Sequence, residues 1–412
     1  MEKKASKKFG YKMFILIAVS IIILFAVGIT FHYSYNQYYS SNINLNDYLN
    51  AWSQTVNYPI PVFAQMCTTM NGYIYCVGGI NNSYVSVNNV YYSKVLASGN
   101  ISAWKSTTSY PVSIAGENCI TYNNYIYCIG GYSTQNQNST NYTQSVYYAT
   151  ALGNGSLSSW KETQPFPFSA EGQSCAVNDN YIYCIGAMNN TKLVSNQVYY
   201  SRINTNGSLS AWRSTSNYPF NVSLSMCLFV NSKLYCIGGY SFSGILKPSY
   251  YTYYSAQYEN GSLGNWVQAA NYPFSVIGLS CFSYGNDIYC LGGSNSTNNI
   301  TNTAYVYNTA KSNTNTWVQT FSYNPNILFP MCLSANASSN GYTFAYCIGG
   351  GTDKNNAFFD NVYYAKLTDS GFNPNNIPAS LLFLNSYLYF ILAGLAIILI
   401  MIYLLYNFNK KS

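Results

Sequence analysis

Short apolar runs separated by turn residues recur along most of this chain. In residues 175–212, four runs end at Val177, Gly186, Ser201 and Trp212. Runs rich in Val, Ile and Tyr and bounded by Asn, Asp and Gly predict β-strands. Four strands fill a unit of just over fifty residues, and the unit recurs along the chain. Such a period indicates propeller blades rather than a solenoid.

A tryptophan and two cysteines recur in nearly constant register. Each tryptophan is followed fifteen residues later by a cysteine. The second cysteine comes nine residues after the first in five units and fifteen residues after it in the sixth. The six tryptophans are Trp52, Trp104, Trp160, Trp212, Trp266 and Trp317.

The nine-residue spacing fits a β-hairpin with a two-residue turn. If Cys67 faces Cys76, the turn falls on Asn71-Gly72, a strong hairpin signal. The cysteines then form a non-hydrogen-bonded pair with Cα atoms about 4.5 Å apart, which a disulfide accepts. Reduced core cysteines and zinc ligands are the alternatives. Reduced cysteines would not need strict pairing in all six repeats, and for zinc the C-x(2–4)-C spacing is missing and the only histidine, His32, lies far from every cysteine. We predict an oxidising compartment and six disulfides: Cys67–Cys76, Cys119–Cys128, Cys175–Cys184, Cys227–Cys236, Cys281–Cys290 and Cys332–Cys347.

The ends of the later strands carry further repeated residues. Five units end the second strand with a diglycine: Gly78-Gly79, Gly130-Gly131, Gly238-Gly239, Gly292-Gly293 and Gly349-Gly350. The third strand carries a tyrosine: Tyr91, Tyr147, Tyr199, Tyr253 or Tyr254, Tyr307 and Tyr363. With the fourth-strand tryptophans, these residues make 46–368 resemble kelch repeats, although the third unit departs with Gly186-Ala187. The resemblance implies an all-β fold, a kelch-type β-propeller.

The order of the repeats predicts how the propeller closes. Trp52 opens the array without three preceding strands, and Val362–Lys366 ends it without a following tryptophan. We therefore expect six blades, with the N-terminal strand completing the last one and removing the exposed sheet edges.

Two apolar segments flank the repeats. Residues 13–31 and 381–406 are long enough to span a bilayer as α-helices, and the lysines beside them favour cytoplasmic termini. Removal of the first segment as a signal peptide is the alternative, since Ala26-Val27-Gly28 could form a cleavage site. The expected order is a cytoplasmic tail (1–12), a transmembrane helix or signal anchor (13–31), a linker (32–45), the propeller (46–368), a linker (369–380), a transmembrane helix (381–406) and a cytoplasmic tail (407–412).

The distribution of charged residues agrees with this membrane topology. The lysine-rich tails account for +6 of the net charge of +7, so the remainder is nearly neutral and a nucleic-acid partner has no support. We expect an integral cell-membrane protein with the propeller outside. Asn-x-Ser/Thr sequons are no more frequent than chance in this composition, so glycosylation rests on that location alone.

The loops between second and third strands vary most, and variable loops on a rigid scaffold usually carry binding. The Tyr and Trp at fixed repeat positions are expected to pack between blades. Aromatic residues in the loops are the candidate contacts for an extracellular protein or glycan: Tyr84, Tyr132, Tyr142, Tyr240, Phe242, Phe358 and Phe359. Because both membrane segments should join the opposite face, this loop face is expected to point away from the cell.

Catalysis has little support in the sequence. Among kelch-type propellers, copper oxidases need histidines and sialidase-like enzymes need an arginine cluster, and the repeats contain neither. The weak candidates are Glu117 and Glu171, which should lie near the mouth of the central channel and could act as acid and base. Structural roles at the strand starts are the alternative. No metal and no cofactor are expected.

We therefore expect a membrane-anchored binding or adhesion module. The first alternative is a surface carbohydrate-active enzyme, mutarotase- or lyase-like, that uses Glu117 and Glu171. The second alternative is a structural component of the cell envelope. A deep pocket with clustered carboxylates would favour the enzyme, and a filled channel with flat loops would favour binding.

Overall fold

A computed structural model describes Leu49 and most of residues 51–367. Within that range it leaves out 137–138, 190, 192, 243–245, 296–298, 311–315, 323–325, 338–340 and 353–357. The tails, the linkers and the apolar segments 13–31 and 381–406 lie outside the described residues. Within the described part, no helix is long and apolar enough to cross a membrane.

Every regular element in the described part is a β-strand. The strands form six four-stranded antiparallel sheets, here sheets 1 to 6, and smaller sheets of two or three strands. The first strands are Met66–Met70, Asn118–Tyr122, Ser174–Asn178, Met226–Val230, Ser280–Tyr284 and Met331–Asn336. The second strands are Tyr73–Val77, Tyr125–Ile129, Tyr181–Ile185, Lys233–Ile237, Asp287–Leu291 and Thr343–Ile348.

The outer half of each sheet follows the same order. The third strands are Val90–Lys94, Val146–Thr150, Val198–Arg202, Thr252–Ala256, Ala304–Asn308 and Val362–Lys366. The fourth strands are Lys105–Ser106, Lys161–Glu162, Arg213–Ser214, Val267–Gln268, Val318–Thr320 and, for sheet 6, Ser53–Gln54.

The six predicted disulfides are confirmed. Each joins the first and second strands of a sheet, with directly opposed cysteines and a Cα–Cα distance of 4.1 Å. The hairpin turns fall where the sequence predicts them, and Asn71, Asn123 and Asp179 adopt positive φ there. One assignment is corrected: Tyr305, not Tyr307, lies opposite Cys290 and takes the third-strand tyrosine position in sheet 5.

The sheets are arranged in a ring. Their first strands contact one another in the order of sheets 1 to 6, and the first strand of sheet 6 contacts that of sheet 1. Ser53–Gln54 pairs with Val362–Lys366, and Leu49 forms a bridge with Leu367, so the two ends of the described chain meet in sheet 6. A separate hydrophobic cluster fills each gap between neighbouring sheets in the described part.

The repeated aromatic residues join neighbouring sheets. Each tryptophan indole N–H donates to a backbone carbonyl in the segment leaving the preceding sheet, as from Trp104 to Val56 at 3.3 Å and from Trp266 to Ser216 at 3.0 Å. In sheets 1 to 5 a buried aromatic residue from that segment, Phe166 before sheet 3 and a tyrosine before the others, packs against both this tryptophan and the third-strand tyrosine. Tyr58 packs in this way against Trp104 and Tyr91, with ring centroids 5.1 and 5.4 Å apart.

Candidate functional site

One face of the ring carries both the connections between sheets and the variable loops. The connections pair with the loops in small sheets, as Val62–Phe63 pairs with Ile80–Asn81 and Ala170–Glu171 pairs with Met188–Asn189. The loops are thereby held around the entrance of the central channel. We call this surface the loop face, and the opposite surface, with the hairpin tips and the turns between third and fourth strands, the turn face.

A cavity of about 220 Å³ lies at the centre of the loop face, where the first strands begin. Its wall is mostly apolar and includes several methionines. The residues that bear on its chemistry are Phe63, Met66, Glu117, Tyr132, Glu171 and Phe329. The two glutamates proposed from the sequence therefore line one cavity, as expected for residues near the channel mouth.

The rim of the cavity is built from residues with left-handed backbone conformation. The residue three positions before the first cysteine has positive φ in all six repeats: Ala64, Gly116, Gly172, Leu224, Gly278 and Phe329. Three of these residues are not glycine, and a bulky side chain with φ near +50° is strained. Phe329 and Leu224 adopt this strained conformation at a position where three other repeats carry glycine, and both residues line the cavity.

An aromatic cluster lies beside the cavity where sheets 6 and 1 meet. The ring of Phe63 is 5.3 Å from Phe329 at a near-perpendicular angle and stacks on Phe358, also at 5.3 Å. Tyr84 packs edge-on against Phe358 at 5.5 Å and itself has a positive φ of 58°. The structure thus brings two sequence candidates, Tyr84 and Phe358, together with two residues that the sequence did not suggest. We call Phe63, Tyr84, Phe329 and Phe358 the aromatic cluster.

Tyr132, Tyr142 and Glu171 form a polar group on the same face. The Tyr142 hydroxyl donates to Glu171 Oε1 at 3.1 Å, and the two tyrosine rings lie 6.1 Å apart. Burial and the nearby Glu171 carboxylate raise the pKa of Tyr142 to about 12. Burial, with the Glu171 and Glu117 carboxyl groups, also raises the pKa of Tyr132. Both phenols therefore stay protonated at neutral pH and can donate hydrogen bonds.

Glu117 differs from Glu171 in environment and in repeat position. It lies two residues before the first cysteine of its repeat and Glu171 lies four, so Glu171 corresponds to Phe63 rather than to Glu117. Glu117 is 1% exposed, and no other residue in the described part donates a hydrogen bond to its carboxyl oxygens. Burial raises the pKa of Glu117 to about 8.

The remaining candidates do not join this site. Phe359 is partly buried and packs against the hydrophobic cluster between sheets 5 and 6, and its backbone N–H donates to the Gly350 carbonyl at 2.9 Å. Tyr240 is partly buried in Tyr240–Phe242 and does not line the cavity. The side chain of Phe242 lies outside the described side chains.

Phe63 and Phe329 were missed because they lie on the connections rather than on the variable loops. A signal was nevertheless present in the repeat alignment. Phe329 stands where three other repeats carry glycine, and a large residue at a glycine position points to a special local requirement.

The comparisons with known proteins concern the repeat and the fold. A family model described as "Kelch motif" matches residues 278–320, which contain the four strands of sheet 5. The solved structure of YjhT superposes with a TM-score of 0.59 and 13% identity, covering 75% of this chain and 96% of that chain. At this identity the likeness shows the fold alone. No curated protein sequence matches the chain.

Proposed function

We propose that this chain, a kelch-repeat β-propeller stapled by six disulfides, is a six-bladed, membrane-anchored binding module of the cell surface. Its loop face receives an extracellular protein or glycan partner. The observation that carries the proposal is the aromatic cluster beside the central cavity. Rigid aromatic side chains offer large contact area with little loss of conformational entropy on binding.

The size of the cavity favours binding over small-molecule turnover. At about 220 Å³ it is smaller than the roughly 300–1,000 Å³ of typical ligand pockets. It therefore fits one side chain or one ring of a larger partner that also covers the surrounding loops. Tyr132, Tyr142 and Glu171 supply hydrogen-bonding groups at its edge, which would fix the orientation of the inserted group.

The ends of the described chain support the proposed orientation. Leu367 follows the third strand of sheet 6 at the place where other sheets begin the turn to their fourth strand, as at Val95 and Ala151. Leu49 is bridged to Leu367. Both ends therefore leave from the turn face, and anchors attached there would direct the loop face away from the membrane.

The test compares loop-face and turn-face variants of the labelled full-length protein on a glycan array and on a panel of purified extracellular proteins. The double variant Tyr84→Ala/Phe358→Ala should lose at least tenfold in affinity for any ligand found, because aromatic anchors dominate such interfaces. The matched control Leu152→Ala/Tyr258→Ala removes exposed side chains from the turn face and should keep wild-type affinity. Equal losses in both variants, or none in either, would contradict the proposal.

Glu117 and Glu171 at one cavity favour a second candidate, a carbohydrate-active enzyme. Different environments for two carboxyl groups are typical of an acid and a base. However, the buried oxygens of Glu117 are withheld from a substrate in this conformation, which makes catalysis the weaker candidate. Proton exchange or elimination on a sugar panel, abolished by Glu171→Gln, would establish the enzyme in place of the binding module.

A further inference from the structure

Glu117 occupies a repeat position that joins neighbouring sheets. In sheets 1 and 3 this position holds Gln65 and Gln173. Their Nε2 atoms donate to the backbone carbonyls of Ile348 at 3.1 Å and Ile129 at 2.8 Å. Each carbonyl belongs to the last residue of the second strand in the preceding sheet, directly before the diglycine. The glutamines therefore tie adjacent sheets together at the wall of the cavity.

The carboxyl group of Glu117 is placed in the same way against sheet 1. A methyl group added to Gly78 would lie 3.1 Å from Glu117 Oε1, and the same addition at Gly349 or Gly130 would meet the amide nitrogen of Gln65 or Gln173. The corresponding acceptor before Gly78 is the carbonyl of Val77. A carbonyl oxygen only accepts hydrogen bonds, and so does an ionised carboxylate. Only the protonated form of Glu117 can replace the glutamine N–H.

The surroundings of Glu117 also favour its neutral form. The titratable groups that interact with it are Tyr58, Tyr110 and Tyr132, and the Glu171 carboxyl lines the same cavity. None of these groups is a cation. Burial raises the pKa of Glu117, and the N–H of its own backbone offsets only part of this effect. Burying an ionised carboxylate among such neighbours would be costly.

We infer that Glu117 is a protonated carboxylic acid that donates a hydrogen bond to the Val77 carbonyl and acts as a pH-sensitive latch between sheets 1 and 2. Ionisation removes the donor and leaves a negative charge against the carbonyl. The contact between sheets 1 and 2 is then weakened at the wall of the cavity, close to the hydrogen bond from Gly79 N–H to the Ile114 carbonyl at 2.8 Å.

The direction of the pH effect follows from linkage. The pKa of Glu117 is raised from 4.5 to about 8 in the folded protein. Its contribution to stability is therefore complete below about pH 4.5 and is lost as the pH rises through about 8. Glu117→Gln keeps a donor at all pH values, so this part of the pH dependence should disappear in the variant.

The test uses the full-length, disulfide-intact protein. Infrared difference spectra between wild type and Glu117→Gln at pH 6.5 should contain the C=O stretching band of a buried protonated carboxyl group, and the band should vanish as the pH is raised past 8. Hydrogen exchange, corrected for its intrinsic pH dependence, should show Gly79 losing protection over the same range. The matched amide is Gly131, whose N–H makes the equivalent bond to the Ala170 carbonyl between sheets 2 and 3, beside Gln173. This amide should keep its protection.

A converse variant keeps the test decisive if Glu117→Gln folds poorly. Gln173→Glu, in a protein that still has Glu117, should add a pH-dependent loss of protection at Gly131 to the one at Gly79, so that both amides respond. A wild-type protein without the protonated-carboxyl band at pH 6.5, or with equal pH responses at Gly79 and Gly131, would overturn the inference.

Discussion

At the scale of single residues, the buried tyrosines form two groups according to what their hydroxyls contact. Tyr127, Tyr183 and Tyr346 donate to the glycine carbonyl of a turn between third and fourth strands at 2.7–2.8 Å. Tyr58, Tyr218 and Tyr272 are buried, and no partner in the described part reaches their hydroxyls. Phe166 occupies the equivalent position in the segment before sheet 3. The first group needs the hydroxyl, whereas the second group needs only the ring.

This difference predicts opposite outcomes for one chemical change. Tyr183→Phe should lower the free energy of unfolding by about 1–3 kcal/mol, because it leaves the Gly261 carbonyl buried without its donor. Tyr218→Phe should be neutral or stabilise by up to about 1 kcal/mol, since it removes an unsatisfied buried hydroxyl. Guanidinium unfolding of both variants measures the difference, and equal losses would refute the distinction.

At the scale of elements, the turn between third and fourth strands acts as a contact between sheets. In Gly155, Gly207 and Gly261 φ is positive, and each glycine lies against the ring of a tyrosine from another sheet: Tyr73, Tyr125 and Tyr181 respectively. A Cβ atom at any of these glycines would lie 2.5 Å from that ring. The repeated Asn-Gly-Ser-Leu sequence therefore serves both the backbone conformation and the packing of neighbouring sheets.

Gly207→Ala should destabilise the protein by at least about 1–2 kcal/mol, from the left-handed backbone alone, with a further cost from displacing Tyr125. Gly153 provides the matched control in an equivalent turn, because nothing lies within 4 Å of an added Cβ. Gly153→Ala should stay within about 0.5 kcal/mol of wild type. Thermal unfolding of the two variants measures the difference, and a similar change in both would show that neither the left-handed backbone nor the tyrosine contact at Gly207 has the expected effect.

At the scale of the whole molecule, the ring is closed by strands from the two ends of the repeat region. In sheets 1 to 5 the third and fourth strands follow each other in the chain, but in sheet 6 the fourth strand comes from the N-terminal side. The backbone hydrogen bonds are otherwise matched: Thr55 N–H donates to Val362 at 2.9 Å, as Thr107 does to Val90 at 3.0 Å. Closure therefore relies on non-covalent contacts alone.

The fourth strand of sheet 6, Ser53–Gln54, should separate from its sheet more often than the other fourth strands do. Separating Ser53–Gln54 from its partner releases chain that no short turn restrains, so opening gains more conformational entropy there. Native-state hydrogen exchange should show lower protection at Thr55 than at Thr107, Thr163 and Thr215, which make equivalent bonds. Equal protection at the four threonines would mean that the contacts of sheet 6 restrain Ser53–Gln54 as well as the chain connection restrains the other fourth strands.

The sequence was sufficient wherever the determining interactions are local or repeated. Hairpin turns and cysteine pairs follow from spacing, and the alignment of repeats placed Glu117 and Glu171 near the channel mouth. It failed where repeat positions are not strictly equivalent: Tyr307 was assigned to the third-strand position that Tyr305 occupies. Phe63 and Phe329 were missed because contact residues were expected only in the variable loops, whereas both residues lie on the connections between sheets.

The strands, the disulfide pairs and the repeating aromatic positions follow from the amino-acid sequence alone, because each depends on residues close together in the chain or on a pattern repeated with constant spacing. Which loop-face side chains meet where the ring closes depends on the folded structure. Ring closure brings Phe63 beside Phe329 and Phe358, which are about 270 to 300 residues away in the chain. The packing of sheet 2 against sheet 1 buries Glu117, and burial, rather than residue type, raises the pKa of its carboxyl group.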